Sequence, residues 1–234
     1  MLIQEIRKEL KKHIDTEYQK SIQRFFKEEI AAYGVRRPYV KKISAQYFQK
    51  IKHQSKEEVF RICEELMASG MMEERGIAFD WAFHLRKQYV PSDFQVFKSW
   101  LEKYVSNWGA CDYICALVGA FIDQFPEFIP KVKEWAKSKN RWFRRAAAVS
   151  FIPLLKKKKI LEDVLETADL LLLDEDDLVQ KGYGWLLKEA SKKYPDDVFQ
   201  YVMKHKDKMP RTALRYAIEK MPPDWKRKAM VRGR

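Results

Sequence analysis

The sequence contains little glycine and proline, with 8 Gly and 9 Pro among 234 residues. Because both residues interrupt helices, this scarcity favours helix over sheet. The sequence also lacks the alternating apolar pattern with Asn-Gly or Asp-Gly turns that is typical of hairpins. No segment approaches the ~18 uninterrupted apolar residues that a membrane helix requires. We therefore predict an all-α protein that does not span a membrane, with a 46% apolar fraction to build its core.

Cysteine is also scarce, and the three present are Cys63, Cys111 and Cys115. An odd number without a Cys-x-x-Cys motif indicates a reducing, cytoplasmic setting. Cys111 and Cys115 are four residues apart, a spacing that could suit a metal on a helix, but the four histidines are scattered. We therefore predict buried small hydrophobic side chains at these positions, and neither a metal nor another cofactor.

The apolar periodicity predicts one helix after another, and several carry start signals. Ser55 with Glu58, and Ser92 with Gln95, each have the spacing of a capping box. A second helix is predicted over residues 16–33.

Successive predicted helices form pairs of roughly 30–35 residues joined by short turns, which is typical of a helical repeat array. The pairs are Ser55–Tyr89, Ser92–Phe125, Pro126–Lys157, Ile160–Tyr194 and Pro195–Met221. We predict a right-handed HEAT-like helical-repeat solenoid with a concave basic groove, formed as a single domain over residues 1–234. The alternative is one irregular helical bundle.

The net charge of +13 is unevenly distributed. Residues 108–159 and 181–234 are rich in Lys and Arg, whereas residues 162–177 carry only acidic charge. Two basic stretches predict a surface that binds a polyanion such as nucleic acid. The alternative interpretation is that this charge serves solubility.

Four side chains form the most informative chemical set: Trp108, Asp112, Arg145 and Trp185. The spacing of Trp108 and Asp112 places an indole and a carboxylate on one face of a helix. A carboxylate stabilises positive charge on a sugar, indole faces attract a cationic base, and an arginine holds phosphate. The set therefore suits a cationic, planar base linked to a sugar.

Each of these residues also has a structural interpretation. Trp108 and Trp185 could simply pack in a core, and Asp112 could be a solvated carboxylate or an arginine's partner. Gly182 and Gly184, predicted within one helix, each cost about 1 kcal/mol relative to Ala. That cost predicts close approach by a neighbouring helix or by DNA.

Four segments carry a resemblance to a known family: YGVRRPYVKKI, VSNWGACDYICALVG, NRWFRRAAAV and LVQKGYGWLLKEASKKYPD. In order and spacing they resemble blocks of the bacterial DNA alkylation repair enzymes of the AlkD-like, HEAT-like glycosylase type. The resemblance spans nearly the whole chain. It departs from the family at two neighbours of Trp108, since Asn107 and Gly109 stand where relatives often carry Trp and Asp.

The resemblance implies a role for individual residues. Asp112 matches the catalytic carboxylate, and Trp108 and Trp185 match the aromatic pair that flanks the lesion. Arg145 matches the arginine that grips backbone phosphate beside the lesion, and Arg36 falls where the family places a polar side chain near the DNA. Arg144 and Lys188 are two further predicted contacts with the DNA backbone. It implies a monomer that acts on double-stranded DNA with alkylated bases.

The chemistry is consistent with that family. An N3- or N7-alkylated purine is cationic, so it leaves without a general acid, and one carboxylate can stabilise the oxocarbenium-like sugar. We therefore predict a DNA N-glycosylase of base excision repair that releases such purines. The alternative is a non-catalytic helical-repeat module that binds damaged or branched DNA or a protein partner. Asp112 discriminates between the two, because a scaffold needs no carboxylate beside phosphates.

Overall fold

The computed structural model describes residues 1–157 and 159–231, and within them it contains fourteen α-helices, short 3-10 turns and no strand. An isolated β-bridge joins Ile14 and Val35. The prediction of an all-α protein is confirmed. The helices are α1 (Leu2–Lys11), α2 (Thr16–Ile22), α3 (Arg37–Ile51), α4 (Lys56–Ala68), α5 (Met72–His84), α6 (Asp93–Tyr104), α7 (Trp108–Gln124), α8 (Ile129–Glu134), α9 (Arg141–Val149), α10 (Leu161–Leu170), α11 (Asp177–Ser191), α12 (Pro195–His205), α13 (Arg211–Ala217) and α14 (Pro223–Met230).

Contacts between helices divide the chain into two compact units, Met1–Leu117 and Val118–Arg234. The division falls within α7, so this helix contributes residues to both. The solenoid, its concave basic groove and the single domain over residues 1–234 stay predictions.

In the first unit, α3 packs against both α1 and α5, and α4 packs against α5 and α6. The predicted pairing of helices within Ser55–Tyr89 is therefore present as α4 and α5. Aromatic side chains fill the core, with Trp81 and Trp100 fully buried. Phe60 meets Trp100 edge-on at 5.0 Å between ring centroids. Such contacts stabilise the packing beyond the apolar area they bury.

The predicted helix over residues 16–33 is wrong beyond its first part. Helix α2 ends at Ile22, a single 3-10 turn follows, and residues 26–36 are not helical. Side chains take over backbone groups of this segment: Gln23 Oε1 accepts the Ile30 N–H at 3.0 Å, and at the end of the segment the buried carboxylate of Glu73 on α5 accepts three backbone N–H groups. The three donors are Tyr33 at 3.0 Å, Gly34 at 2.8 Å and Val35 at 2.9 Å. Satisfying these groups from outside replaces the helical hydrogen bonds.

The two predicted capping boxes have opposite outcomes. At the start of α4 the box is confirmed, with the Glu58 carboxylate accepting from the Ser55 backbone N–H at 2.9 Å. Ser92 makes no capping bond at the start of α6, so the second box is wrong. The carboxylate of the adjacent Asp93 instead accepts the Val90 N–H, just before the helix, at 2.8 Å. It also forms a buried ion pair with Lys56 at 2.7 Å.

In the second unit, α11 packs against α9, α10, α12 and α13. Two glycines allow close approach. A Cβ at Gly182 would lie 3.3 Å from Cγ of Arg145 on α9, and one at Gly184 would lie 2.8 Å from the Ala213 carbonyl on α13. Neighbouring helices therefore account for both glycines, which confirms the prediction of a close approach by partner helices.

The three cysteines are buried, as predicted, and none of them forms a disulfide. Residues 1–157 and 159–231 contain no group of three or more His, Cys, Asp or Glu side chains arranged to hold a metal ion. Among the helices described, none has the length and apolar character to cross a membrane.

Candidate functional site

Helix α7 begins with a side-chain cap that fixes the start of the candidate site. Asn107 is 4% exposed, and its Oδ1 accepts the Ala110 backbone N–H at 2.9 Å. Asparagine is among the best residues for this capping position. The departure from the family at Asn107 therefore has a structural role, since it sets Trp108 as the first residue of the helix.

Trp108 is held by a segment that lies far away in the sequence. Its indole Nε1–H donates to the Phe25 carbonyl at 3.1 Å. Its ring stacks on Phe26, with 5.1 Å between centroids and 17° between planes. One face of the indole is therefore covered by the protein. Nothing in the sequence indicated this contact, because the two partners belong to the segment predicted as helix.

Asp112 lies one helical turn after Trp108, so the two side chains share a face of α7. Asp112 is half-buried, in contrast to the buried Ile114, Cys115, Leu117 and Val118 further along the helix. The neighbouring Tyr113 is turned away to another contact, since it stacks on Phe79 at 6.0 Å. The first unit therefore brings two of the predicted site residues together.

Arg145 belongs to α9 in the second unit and is only 6% exposed. Its Nη1 donates to the Leu178 carbonyl, at the start of α11, over 2.6 Å. The side chain also packs against Gly182 of the same helix. Arg145 thus joins α9 to the helix that carries Trp185, and its contact with DNA phosphate stays a prediction.

The other three predicted DNA-backbone contacts form ion pairs within the protein. Arg144 donates to both oxygens of the buried Asp174 and also to the Ser138 carbonyl. Arg36 is more exposed and pairs with a carboxylate across the surface, as does Lys188. The distances are 2.8 Å from Arg36 to Asp15 and 3.1 Å from Lys188 to Glu219.

Trp185 lies in the middle of α11 and is half-buried. Within residues 1–157 and 159–231, no hydrogen bond or ring contact involves its indole. The backbone of α11 is nevertheless fixed by the close contacts of Gly182 with α9 and of Gly184 with α13. The indole is therefore carried by a fixed backbone but is not oriented by a polar or aromatic partner.

Part of the acidic stretch 162–177 forms ion pairs with the basic stretch that precedes it. Its ion pairs include Asp163 with Lys133 at 3.0 Å and Asp176 with Arg141 at 2.7 Å. The sequence showed these charges as separate blocks, whereas the fold joins them. The basic residues in these pairs are thereby partly satisfied within the protein, and less of the net charge is left for an external polyanion.

The sequence model of a family described as "DNA alkylation repair enzyme" matches residues 6–221. Among solved structures, the chain is similar to a predicted DNA alkylation repair enzyme from Enterococcus faecalis. That match has a TM-score of 0.81 and 18% identity, and it covers 90% of this chain and 98% of the other. A second similar structure is smu.31 from Streptococcus mutans UA159, with a TM-score of 0.59, 20% identity, and coverage of 79% and 97%. At these identities the two structures support the fold alone. No curated protein matches the sequence.

Proposed function

The chain belongs to the DNA alkylation repair enzyme family, and on that premise we propose that it is a monofunctional DNA N-glycosylase. Its substrate in this proposal is duplex DNA that carries a cationic N3- or N7-alkylated purine. The observation that carries the proposal is the start of α7. There, a half-buried carboxylate lies one turn from an indole that is already fixed by Phe26.

Asp112 supplies the chemistry in this proposal. Breaking the glycosidic bond of an alkylated purine releases a neutral base, so no side chain needs to protonate the leaving group. The bond's electron pair leaves with the base, and positive charge builds on the deoxyribose. The Asp112 carboxylate stabilises that charge and orients the water that attacks the sugar carbon.

The two indoles select the lesion by its charge. A cation over an indole face is stabilised by about 0.5–2 kcal/mol, depending on desolvation. Trp108 offers one face, because Phe26 stacks on the other. Trp185 supplies the second indole. A neutral base such as uracil gains no such attraction and leaves as a poor anion.

The net charge of +13 draws the duplex to the protein through its phosphates. Arg145, Arg144, Arg36 and Lys188 are the proposed contacts. For Arg144, Arg36 and Lys188 this requires exchanging a carboxylate partner for a phosphate. That exchange costs least at the exposed Arg36, since an exposed ion pair contributes only about 0–1 kcal/mol.

The experiment that tests the proposal compares base release from two matched duplexes, one with 7-methylguanine and one with uracil. We expect release of the methylated base alone. Equal release from both would overturn the charge mechanism. Release from neither, with tight binding to duplex or branched DNA, would favour the non-catalytic module.

A further inference from the structure

Arg75 is a buried guanidinium in the first turn of α5, and it is 8% exposed. Its Nη2 donates to the Gly70 carbonyl at 2.9 Å, and its Nη1 is 3.4 Å from the Ser106 hydroxyl. Its Nε is buried and has no hydrogen-bond partner in the described chain. Arg75 therefore makes two uncharged contacts and leaves one donor unsatisfied.

No carboxylate neutralises Arg75 within residues 1–157 and 159–231. Its two acidic neighbours in sequence are committed elsewhere. Glu73 accepts the backbone N–H groups of the 33–35 segment. Glu74 accepts from Arg7 through two bonds of 3.0 Å. Because buried charges are normally paired, a buried guanidinium without a carboxylate partner is a candidate binding site for an external anion.

The start of α7 lies directly beside this guanidinium. Ser106, which Arg75 contacts, is exposed, and it precedes the capping residue Asn107. Helix α7 is 17 residues long, and the first N–H groups of a helix have no partner within it. The cap satisfies Ala110, which leaves the N–H groups of Trp108 and Gly109 at the positive end of the helix dipole. This combination favours an anion.

We propose that Arg75, the Ser106 hydroxyl and the N–H groups of Trp108 and Gly109 bind one phosphate of the DNA backbone. The site lies wholly within the first unit and next to the indole assigned to the lesion. It rests on the proposed function for its ligand, a phosphodiester. It adds a backbone anchor adjacent to Trp108, so that the lesion strand is held where the base is recognised.

The first test measures affinity for an undamaged duplex across a range of KCl concentrations. For Arg75→Gln we expect the slope of log affinity against log salt to fall by about one phosphate contact. Arg61→Gln is the matched control, since it removes one exposed arginine from α4 in the same unit. An equal fall in both variants would reveal a general effect of charge and would overturn the site.

The second test neutralises the charge of the site with Ser106→Asp. A carboxylate beside Arg75 forms an ion pair with the guanidinium, so we expect a higher melting temperature together with weaker DNA binding. Both changes are measured on Ser106→Asp, so they test the site even if Arg75→Gln does not fold. If Arg75 only supports the Gly70 turn, Arg75→Gln will melt earlier and both variants will keep the wild-type salt slope, which would overturn the proposal.

Two further readouts separate this site from its alternatives. If inorganic phosphate stabilises the wild type but not Ser106→Asp, while the DNA slope is unchanged in the variants, the site binds free phosphate and the assignment to DNA is wrong. Base release tests the glycosylase separately. A reduced slope in a protein that releases no base supports the phosphate site and overturns only the activity. Normal base release with an unchanged slope supports the activity and overturns the phosphate site.

Discussion

The two indoles assigned to the lesion are held in different ways. Trp108 stands at the first position of α7, with its ring stacked on Phe26 and its N–H bonded to the Phe25 carbonyl. Trp185 stands in the middle of α11, where the backbone is fixed by glycine contacts but the ring has no such partner in the described chain. The Trp108 ring is therefore oriented by contacts with the protein, whereas only the backbone of Trp185 is fixed.

This difference assigns different tasks to the two regions. An indole that is oriented before the substrate arrives loses little conformational entropy on binding, so it can define where the base lies relative to Asp112. An indole without a partner can adjust to the base or to the neighbouring nucleotide. We therefore expect α7 to govern the rate of base release and α11 to govern discrimination between lesions.

The largest effect should come from Asp112→Asn, which removes the negative charge of this side chain and keeps its shape. We expect base release to fall by at least about tenfold, which corresponds to about 1.4 kcal/mol of transition-state stabilisation. DNA binding should be unchanged or tighter, because a negative charge that faces phosphates is lost. Single-turnover release and a binding titration measure the two quantities. Full activity in the variant would remove Asp112 from the mechanism.

A change in the support of α11 should reduce stability. In Gly184→Ala the new Cβ would lie 2.7 Å from Cβ of Tyr216 and 2.8 Å from the Ala213 carbonyl. The forced separation of α11 and α13 should cost about 1–3 kcal/mol in the free energy of unfolding. Gly76→Ala is the control, since nothing lies within 4 Å of its Cβ. It should instead stabilise α5 by up to about 1 kcal/mol. Equal stabilisation by both changes in denaturant titrations would mean that α13 does not restrain α11.

A double-mutant cycle tests whether the two indoles differ as described. Phe26→Ala uncovers Trp108, so its effect on base release should depend on whether Trp108 is present, with a coupling of about 0.5–1.5 kcal/mol. Combined with Trp185→Ala, the same change should be additive. Trp185→Ala alone should lower excision more than it lowers binding to undamaged DNA. Strong coupling of Phe26 to Trp185, with none to Trp108, would contradict the described difference between the two indoles.

What the sequence could predict depends on the distance over which each feature is determined. The capping box at Ser55 and the close approach at Gly184 are local signals, and both predictions are confirmed. The predicted helix over residues 16–33 is wrong after Ile22, because Gln23 binds the Ile30 N–H and the distant Glu73, 40 positions along the chain from Tyr33, binds the Tyr33 N–H. The box at Ser92 is wrong because Ser92 already has helical backbone angles, φ −66° and ψ −22°, whereas a capping residue is normally extended.

The same contrast between local signals and distant contacts applies to the candidate site. The shared face of Trp108 and Asp112 follows from their spacing, which the helix preserves. Phe26, which stacks on that indole, belongs to an irregular segment that periodicity cannot place. The burial of Arg145 was likewise not visible, because alternating charge and apolar residues in RWFRRAAAV also suit an exposed basic face. The partners of these side chains are set by tertiary packing.

The smallest effect on function should come from Arg145, where the expected change in DNA binding is one phosphate contact and a structural role can be separated from an electrostatic one. Arg145→Lys keeps the charge, whereas Arg145→Gln removes it, and both lose the guanidinium bond to the Leu178 carbonyl. Both variants should therefore lose similar stability, about 1–3 kcal/mol for a buried hydrogen bond of a charged group. Only Arg145→Gln should lower the salt slope of duplex binding, by about one phosphate contact. The exposed Lys137, changed to Gln, controls for the loss of one charge in the same unit. If both Arg145 variants keep the wild-type slope, Arg145 acts only by joining α9 to α11. If Arg145→Gln loses affinity for lesion-containing DNA alone, it reads the lesion and the assignment to the phosphate backbone fails.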